Sequence, residues 1–364
     1  MNSNLKARIE RIENGLLSCS EDESSVAQYT LRDRMEFYQV PGVSIAVIDG
    51  GKIDWARGYG VKEAGSNNPI EPKTLFQAAS ISKPVAAMAV MKLVQDGKLN
   101  LNSDVNEQLV SWQVPQNRFT EERKVTLRNL LSHTAGMTVH GFEGYSSDES
   151  IPTLLQILNG EQPANSDKIK VSSELNREFK YSGGGYVAIQ QLLENFTGKP
   201  FDEFMQETVF NQLEMTDSTF QQPLPKAIAN AAVGHNDKGK PIDGSWHTYP
   251  EMAAAGLWTT PSDLAKFAIA IQESIVGKKD TILSQQIVYE MLSPQIGGWG
   301  LGFQIPEGSP QRFAHAGANE GYQCLMLAEQ NTGRGAVIMT NSDRGIEIGS
   351  EIFASIEQEY GWNE

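Results

Sequence analysis

Cysteine is scarce: only Cys19 and Cys324 occur, far apart in the chain, which excludes a disulfide framework and a cysteine-based metal site. They read as two lone thiols. Positive charge is also short. Thirty Lys and Arg stand against 45 Asp and Glu, a formal net charge of -15, so nucleic-acid phosphates and anionic membranes would be repelled. No run of about 18 apolar residues occurs, and no membrane-spanning helix is expected. Histidines His133, His140, His235, His247 and His315 include no H-E-x-x-H pair, and neither a catalytic metal nor another cofactor is expected. Gly183, Gly185 and Ala188 fit a dinucleotide fingerprint only loosely, because Asn176 to Lys180 ahead of them do not form a buried strand pattern. The G-x-S-x-G elbow is missing too, since Gly42-Val43-Ser44 runs on into Ile45-Ala46.

What is present is an ordinary globular composition of 40% hydrophobic and 21% charged residues over 364 positions. That length suits two domains, or one enzyme-sized fold with an insertion. At the N-terminus, Leu5, Ile9, Ile12 and Leu16 form one helical stripe between charges, with no apolar core of the signal-peptide kind. A docking helix and a cytoplasmic protein are the expectations.

Ser24 to Phe37 reads as a second helix, followed by two β-rich runs, Val43–Ile48 and Lys52–Ala56, around Asp49-Gly50-Gly51, a hairpin signature. Ser80 to Asp96 reads as a helix that is apolar or small on every face from Pro84 to Met91, closed by Gly97. Further helices are predicted from Thr126, over Tyr186–Phe196 and over Phe201–Leu213, with polar loops such as Met137 to Ser150 between them. Thr260-Pro261-Ser262-Asp263 has the layout of a capping box opening a helix to Ile275, after which the chain turns to strands at Phe313–His315, Gln323–Glu329 and Gly335–Asn341. A last amphipathic helix carries Ile348, Ile352, Phe353 and Ile356. Helices at both ends, strands inside them and helices in the middle predict an α+β fold, an antiparallel sheet flanked by terminal helices with a mainly helical insertion. The expected division is 1–75 with 250–364 for the sheet unit and 76–249 for the insertion, with an active site between them.

Ser80-Ile81-Ser82-Lys83 is an S-x-x-K sequence at the start of the all-apolar helix. Three residues apart on a helix, the Ser hydroxyl and Lys amine share a face. A serine must lose its proton to attack a carbonyl, and a desolvated lysine is a suitable partner. Ser3 and Lys6 have the same spacing on a solvated face, so spacing alone decides nothing. Context separates them, because Lys83 sets a charge at the entrance to a buried helix, where charges persist when paired or functional.

Phe76 to Lys83 resembles the nucleophile segment of the serine beta-lactamase and penicillin-binding-protein family, in particular class C beta-lactamases with their esterase and D-amino-acid peptidase relatives. Val125-Thr126-Leu127-Arg128-Asn129-Leu130-Leu131-Ser132-His133-Thr134-Ala135-Gly136-Met137 is similar to the family's next helix and turn, and Ala255 to Leu264 to its Gly-Leu-Trp stretch. The resemblance implies a serine acyl-hydrolase with Ser80 as nucleophile and Lys83 and Tyr181 as its activating pair, Tyr181-Ser182-Gly183 standing where the family has Tyr-x-Asn. It implies that His315-Ala316-Gly317 fills the place of Lys-Thr-Gly, with Gly317 leaving room for a substrate backbone and the Ser80 and Ala318 N–H groups holding the oxyanion. His315 is then expected to donate to Tyr181 or to a substrate carboxylate, with a charge that changes near neutral pH.

Two departures from the family pattern shape the expected chemistry. Gly183 lacks the amide that contacts a beta-lactam's acylamino group, and His315 lacks the permanent charge of lysine. Both point toward small esters, amides or peptides as substrates and at most weak beta-lactamase action. A non-catalytic sensor with the same pocket and an acyltransferase using the same acyl-serine are the rival readings. Oligomeric state has no signature in the sequence.

Overall fold

A computed structural model describes residues 3–18, 28–308 and 311–362. The chain opens with α1 (Ser3–Asn14), β1 (Leu16–Leu17), β2 (Gln28–Tyr29) and α2 (Leu31–Tyr38), then enters the hairpin of β3 (Gly42–Asp49) and β4 (Lys52–Gly60). After β5 (Phe76–Gln77) and a 3-10 turn at Ala79–Ile81 come α3 (Ser82–Gln95), α4 (Leu127–Leu131), α5 (Leu154–Asn159), α6 (Gly183–Thr197) and α7 (Phe201–Met205). There follow α8 (Met252–Ala255), β6 (Trp258–Thr259), α9 (Pro261–Ile275), α10 (Gln285–Leu292), β7 (Arg312–Asn319), β8 (Tyr322–Glu329), β9 (Gly335–Thr340) and α11 (Gly345–Tyr360).

The main sheet is antiparallel with strand order β4-β3-β9-β8-β7, so segments from both ends of the chain pair at its centre. Gly50 and Gly51 both have positive φ, 59° and 72°, which is what a tight turn matched to the twist of a hairpin requires. β3 is buried along nearly its whole length because both faces of the sheet are covered. Its alternating side chains divide accordingly. Val43, Ile45 and Val47 join Ile9, Ile12, Ile352 and Ile356 of the terminal helices. Ala46 and Ile48 join the larger core that includes α3 and α9. This is the α+β architecture that the order of elements predicts.

Several local expectations need correction. The second helix spans Leu31–Tyr38, with Thr30 as N-cap and Gln39 closing it in the left-handed region; the expected start at Ser24 lies outside the described residues, as does Cys19. Leu16 belongs to β1 rather than to the first helix, yet remains fully buried, so its side was read correctly and its backbone was not. Thr260 accepts the Asp263 N–H as an N-cap should, but Asp263 does not return the bond: its carboxylate takes the Asp217 N–H and the Ser218 hydroxyl, each at 2.8 Å. Between Ile275 and the strands stands the unforeseen α10, whose Val288, Met291 and Leu292 are buried at helical spacing. The helix at Phe201 widens into a π turn over Gln206–Phe210.

Across the outer layer, α2 is tied to α11 by a buried ion pair. Arg34 Nε and Nη2 donate to the two oxygens of Glu351, at 2.7 and 2.5 Å, and the Tyr38 hydroxyl donates to Glu351 Oε1 at 2.8 Å. Both charged side chains are at most 2% exposed. Removing one partner strands the other charge in the interior. Arg34→Ala is therefore expected to lower unfolding free energy by about 3–5 kcal/mol in urea titration, more than an exposed pair such as Arg32 with Glu36 would.

Candidate active site

The sequence places a small-residue turn before α3, and the structure uses it to present Ser80. Ala79 adopts φ 48°, and the first turn is 3-10 rather than the expected α-helix from Ser80. The first internal bond of that turn is from the Ile81 N–H to the Ala78 carbonyl, 3.0 Å. By position, the Ser80 N–H precedes it and belongs to the donors a helix start leaves free. Ser82 braces the turn: its hydroxyl donates to the Ala79 carbonyl at 2.6 Å and accepts the Leu257 N–H at 3.0 Å.

Lys83 follows on the first turn of α3 and is 2% exposed. Its Nζ lies 3.0 Å from Ser80 Oγ and 2.8 Å from the Ala254 carbonyl of α8. The Tyr181 ring sits beside it, with Nζ 5.0 Å from the ring centroid. The three residues singled out from the sequence therefore meet. Among the described residues, Lys83 is the side chain hydrogen-bonded to Ser80 Oγ.

The opposite wall is β7, an edge strand. Ala314 exchanges both of its main-chain bonds with Gln304, 2.9 Å each, on the side away from β8. Main-chain direction alternates along a strand, so Ala316 and Ala318 also turn their N–H groups to that outer edge, where the Ser80 turn packs. Gly317 allows the approach: a Cβ there would lie 2.2 Å from the Ala78 carbonyl oxygen. The room thus serves the protein's own backbone at the Ser80 turn, not a substrate backbone as expected. At the strand's end, Asn319 Nδ2 donates to Gln77 Oε1 and to the Ala255 carbonyl, locking β7, β5 and α8 together.

Ser80, Lys83, Tyr181, His315, Gly317 and Ala318 all line one cleft of about 560 Å³. Gly183 does not line it. It opens α6 beneath the ring of Phe142, which a Cβ would approach to 2.9 Å. Phe142, from the loop after Met137, is itself part of the cleft wall.

His315 overturns one expectation. Its Nδ1 is 2.6 Å from the Ala316 carbonyl oxygen, so Nδ1 carries the hydrogen and donates it, while Nε2 is left as a buried lone pair without a protein partner. Burial first, and the nearby Lys83 charge second, hold its pKa down to about 3. His315 is neutral throughout the ordinary pH range and presents neither a positive charge nor a free N–H to a carboxylate.

His133 and Trp299 were not singled out as site residues. The His133 ring stacks on Tyr181 with centroids 4.3 Å apart, and its Nδ1 accepts the Ser182 N–H at 3.1 Å, holding Tyr181 from the side and from the next residue. Burial above all keeps it uncharged, with the Lys83 charge second. Trp299 contacts Phe179, Tyr181, His133 and His315 from the loop Gly297-Gly298-Trp299-Gly300. A tryptophan flanked by glycines was the available signal: an aromatic on a turn that packs by its ring alone.

The sequence matches the family model for Beta-lactamase over residues 28–358. The chain belongs to the beta-lactamase family. It is 24% identical over 314 residues to "Protein flp" of Staphylococcus aureus strain MRSA252, covering 83% of this chain and 60% of that one. It is 28% identical over 271 residues to "Unguisins hydrolase ungD'" of Aspergillus campestris, covering 69% of this chain and 47% of that one. The chain thus spans about half to three-fifths of these curated relatives. In fold it resembles an octameric penicillin-binding protein homologue from Pyrococcus abyssi (TM-score 0.76, 22% identity, 91% of this chain and 76% of that one). It also resembles the D-amino acid amidase of Ochrobactrum anthropi SV3 (TM-score 0.75, 22% identity, 99% of both chains). Among the described residues no helix is long and apolar enough to cross a membrane.

One buried acid stands behind this family site. Glu251 precedes α8, the helix whose Ala254 carbonyl holds Lys83, and its own carbonyl accepts the Ala254 and Ala255 N–H groups at 3.0 and 2.9 Å. Its carboxyl is fully buried with both oxygens unpartnered, and burial raises its pKa from the ordinary 4.5 to about 8. The native state thus binds this proton more tightly than the unfolded chain. Its stabilising effect is complete below about pH 4.5 and fades as pH rises to about 8. Raising the pH from about 5 to about 8 should cost the wild type on the order of 3–4 kcal/mol more stability than Glu251→Gln in urea unfolding; parallel curves would refute this assignment.

Proposed function

We propose that the protein is a serine hydrolase that forms an acyl-enzyme on Ser80 and cleaves small esters or amides, with at most weak action on beta-lactams. The observation that carries this reading is the buried Lys83 nitrogen, fixed between Ser80 Oγ and the Ala254 carbonyl at 3.0 and 2.8 Å. A lysine so placed is an investment of burial that a structural serine does not need. The hydrolase and amidase named among the relatives support the same class.

In this reading Tyr181, assisted by Lys83, accepts the Ser80 proton as Oγ attacks the substrate carbonyl carbon. The carbonyl oxygen takes up the negative charge, held by the Ser80 and Ala318 N–H groups. Collapse of this intermediate breaks the bond to the alcohol or amine, which leaves with the proton. Water then adds to the acyl-serine, giving its proton back through the same pair, and releases the acid. The division proposed with it is 1–75 with 250–364 for the sheet unit and 76–249 for the helical one, the cleft lying between them.

The deciding experiment is intact-mass analysis after exposure to a reactive fluorophosphonate. One adduct is expected on the wild type and none on Ser80→Ala of verified fold. Lys83→Ala and Tyr181→Phe should each slow acylation by about 10²-fold or more while leaving the melting profile folded. Near-normal acylation in either variant would remove that residue from the mechanism.

A further inference from the structure

The charges around the cleft, rather than its shape alone, restrict what can enter. Among the described residues that line it, none is Asp, Glu or Arg, and Lys83 is the single lysine. That lysine is buried and already shared between Ser80 Oγ and the Ala254 carbonyl. His315 has its N–H committed to Ala316 and offers only a lone pair. His140 stands at an exposed position, where solvent weakens any pairing. A substrate carboxylate therefore meets no free cation beside the scissile bond. A substrate ammonium meets no carboxylate and faces Lys83 instead. Either ion would lose its hydration without a partner, a cost a binding site does not recover.

Four aromatic rings make up much of the remaining wall, beside the uncharged Gln304, Asn319 and Ile346. Phe142, Phe179, Tyr181 and Trp299 line the cleft, and Phe179 lies parallel to Trp299 at 5.2 Å between centroids. Flat rings bury large area with little loss of side-chain freedom and pack best against another flat apolar group. We propose that this site selects esters or amides that carry no formal charge next to the scissile carbonyl and whose acyl group ends in an aromatic ring. The proposal rests on the acyl-enzyme reading above and narrows it, separating neutral acyl compounds from free amino-acid amides and from carboxylate-bearing peptides and beta-lactams.

A matched set of 4-nitrophenyl esters tests it with the wild-type protein: 3-phenylpropanoate, its 2-ammonio analogue in both hand forms, its 2-carboxylate analogue, and acetate. Each kcat/KM is measured near pH 6, where the amine is protonated, and divided by that ester's own rate with hydroxide to remove intrinsic reactivity. The neutral aromatic ester should exceed each charged analogue, and acetate, by about tenfold or more. A charged analogue that matches or beats it overturns the charge rule, and acetate that matches it overturns the aromatic rule. Adduct mass on wild type and on Ser80→Ala, read in the same samples, separates the two levels. Acylation of Ser80 without the expected order overturns this proposal alone. No acylation of Ser80 by any ester overturns the acyl-enzyme reading and this proposal with it.

Discussion

The site depends on one contact, the Lys83 nitrogen between Ser80 Oγ and the Ala254 carbonyl. A lysine that is 2% exposed and has no carboxylate paired with it among the described residues must draw its polar contacts from neighbours held rigidly in place. Much of the surrounding structure supplies that rigidity. Gln190 of α6 clamps α8 by donating to the Pro250 carbonyl and accepting the Ala253 N–H. Ser82 ties the Ser80 turn to Leu257, and Asn319 ties β7 to α8. Three separate stretches of chain thus converge on one amine, which makes the cleft a product of the whole fold rather than of the S-x-x-K segment.

The edge position of β7 has a second consequence. An edge strand leaves alternate main-chain groups without strand partners, a liability on an ordinary surface. Here the outer edge is divided among three uses: Ala314 pairs with Gln304, the Ala316 carbonyl takes His315, and Ala318 is left facing the Ser80 turn. The His315 side chain is thereby spent on satisfying its own strand. That is why replacing a lysine by histidine at this position changes more than the strength of a charge: it removes the cation and the outward donor together.

The parts of this arrangement legible in the sequence are those set by local pattern. Alternation and turn glycines gave the hairpin of β3 and β4, capping residues gave α4 and α9, and the apolar run after Lys83 gave α3, because each follows from short-range geometry. Ser80 and Lys83 were readable as a pair for the same reason, while Tyr181, His315 and Ala318 were readable only through family resemblance, since nothing local distinguishes them. What escaped was set by tertiary context. The tautomer of His315 follows from a carbonyl bond, the use of Gly317 from the approach of Ala78, and the importance of His133 from a ring stacked on it from another loop. α10 escaped for a different reason: Ser284 ahead of it makes no side-chain cap bond to its first turn.

Part of the molecule's uncompensated burial falls at this cleft. His133 Nε2, His315 Nε2 and both Glu251 oxygens are buried without protein partners, and all belong to residues that touch or support the Lys83 and Tyr181 neighbourhood. Each such atom costs stability that an apolar side chain would not. A fold under pressure for stability alone would replace them with apolar side chains. Because desolvation keeps both histidines uncharged, Lys83 is left as the dominant charge in a low-dielectric pocket, where its field on a reacting carbonyl is least screened.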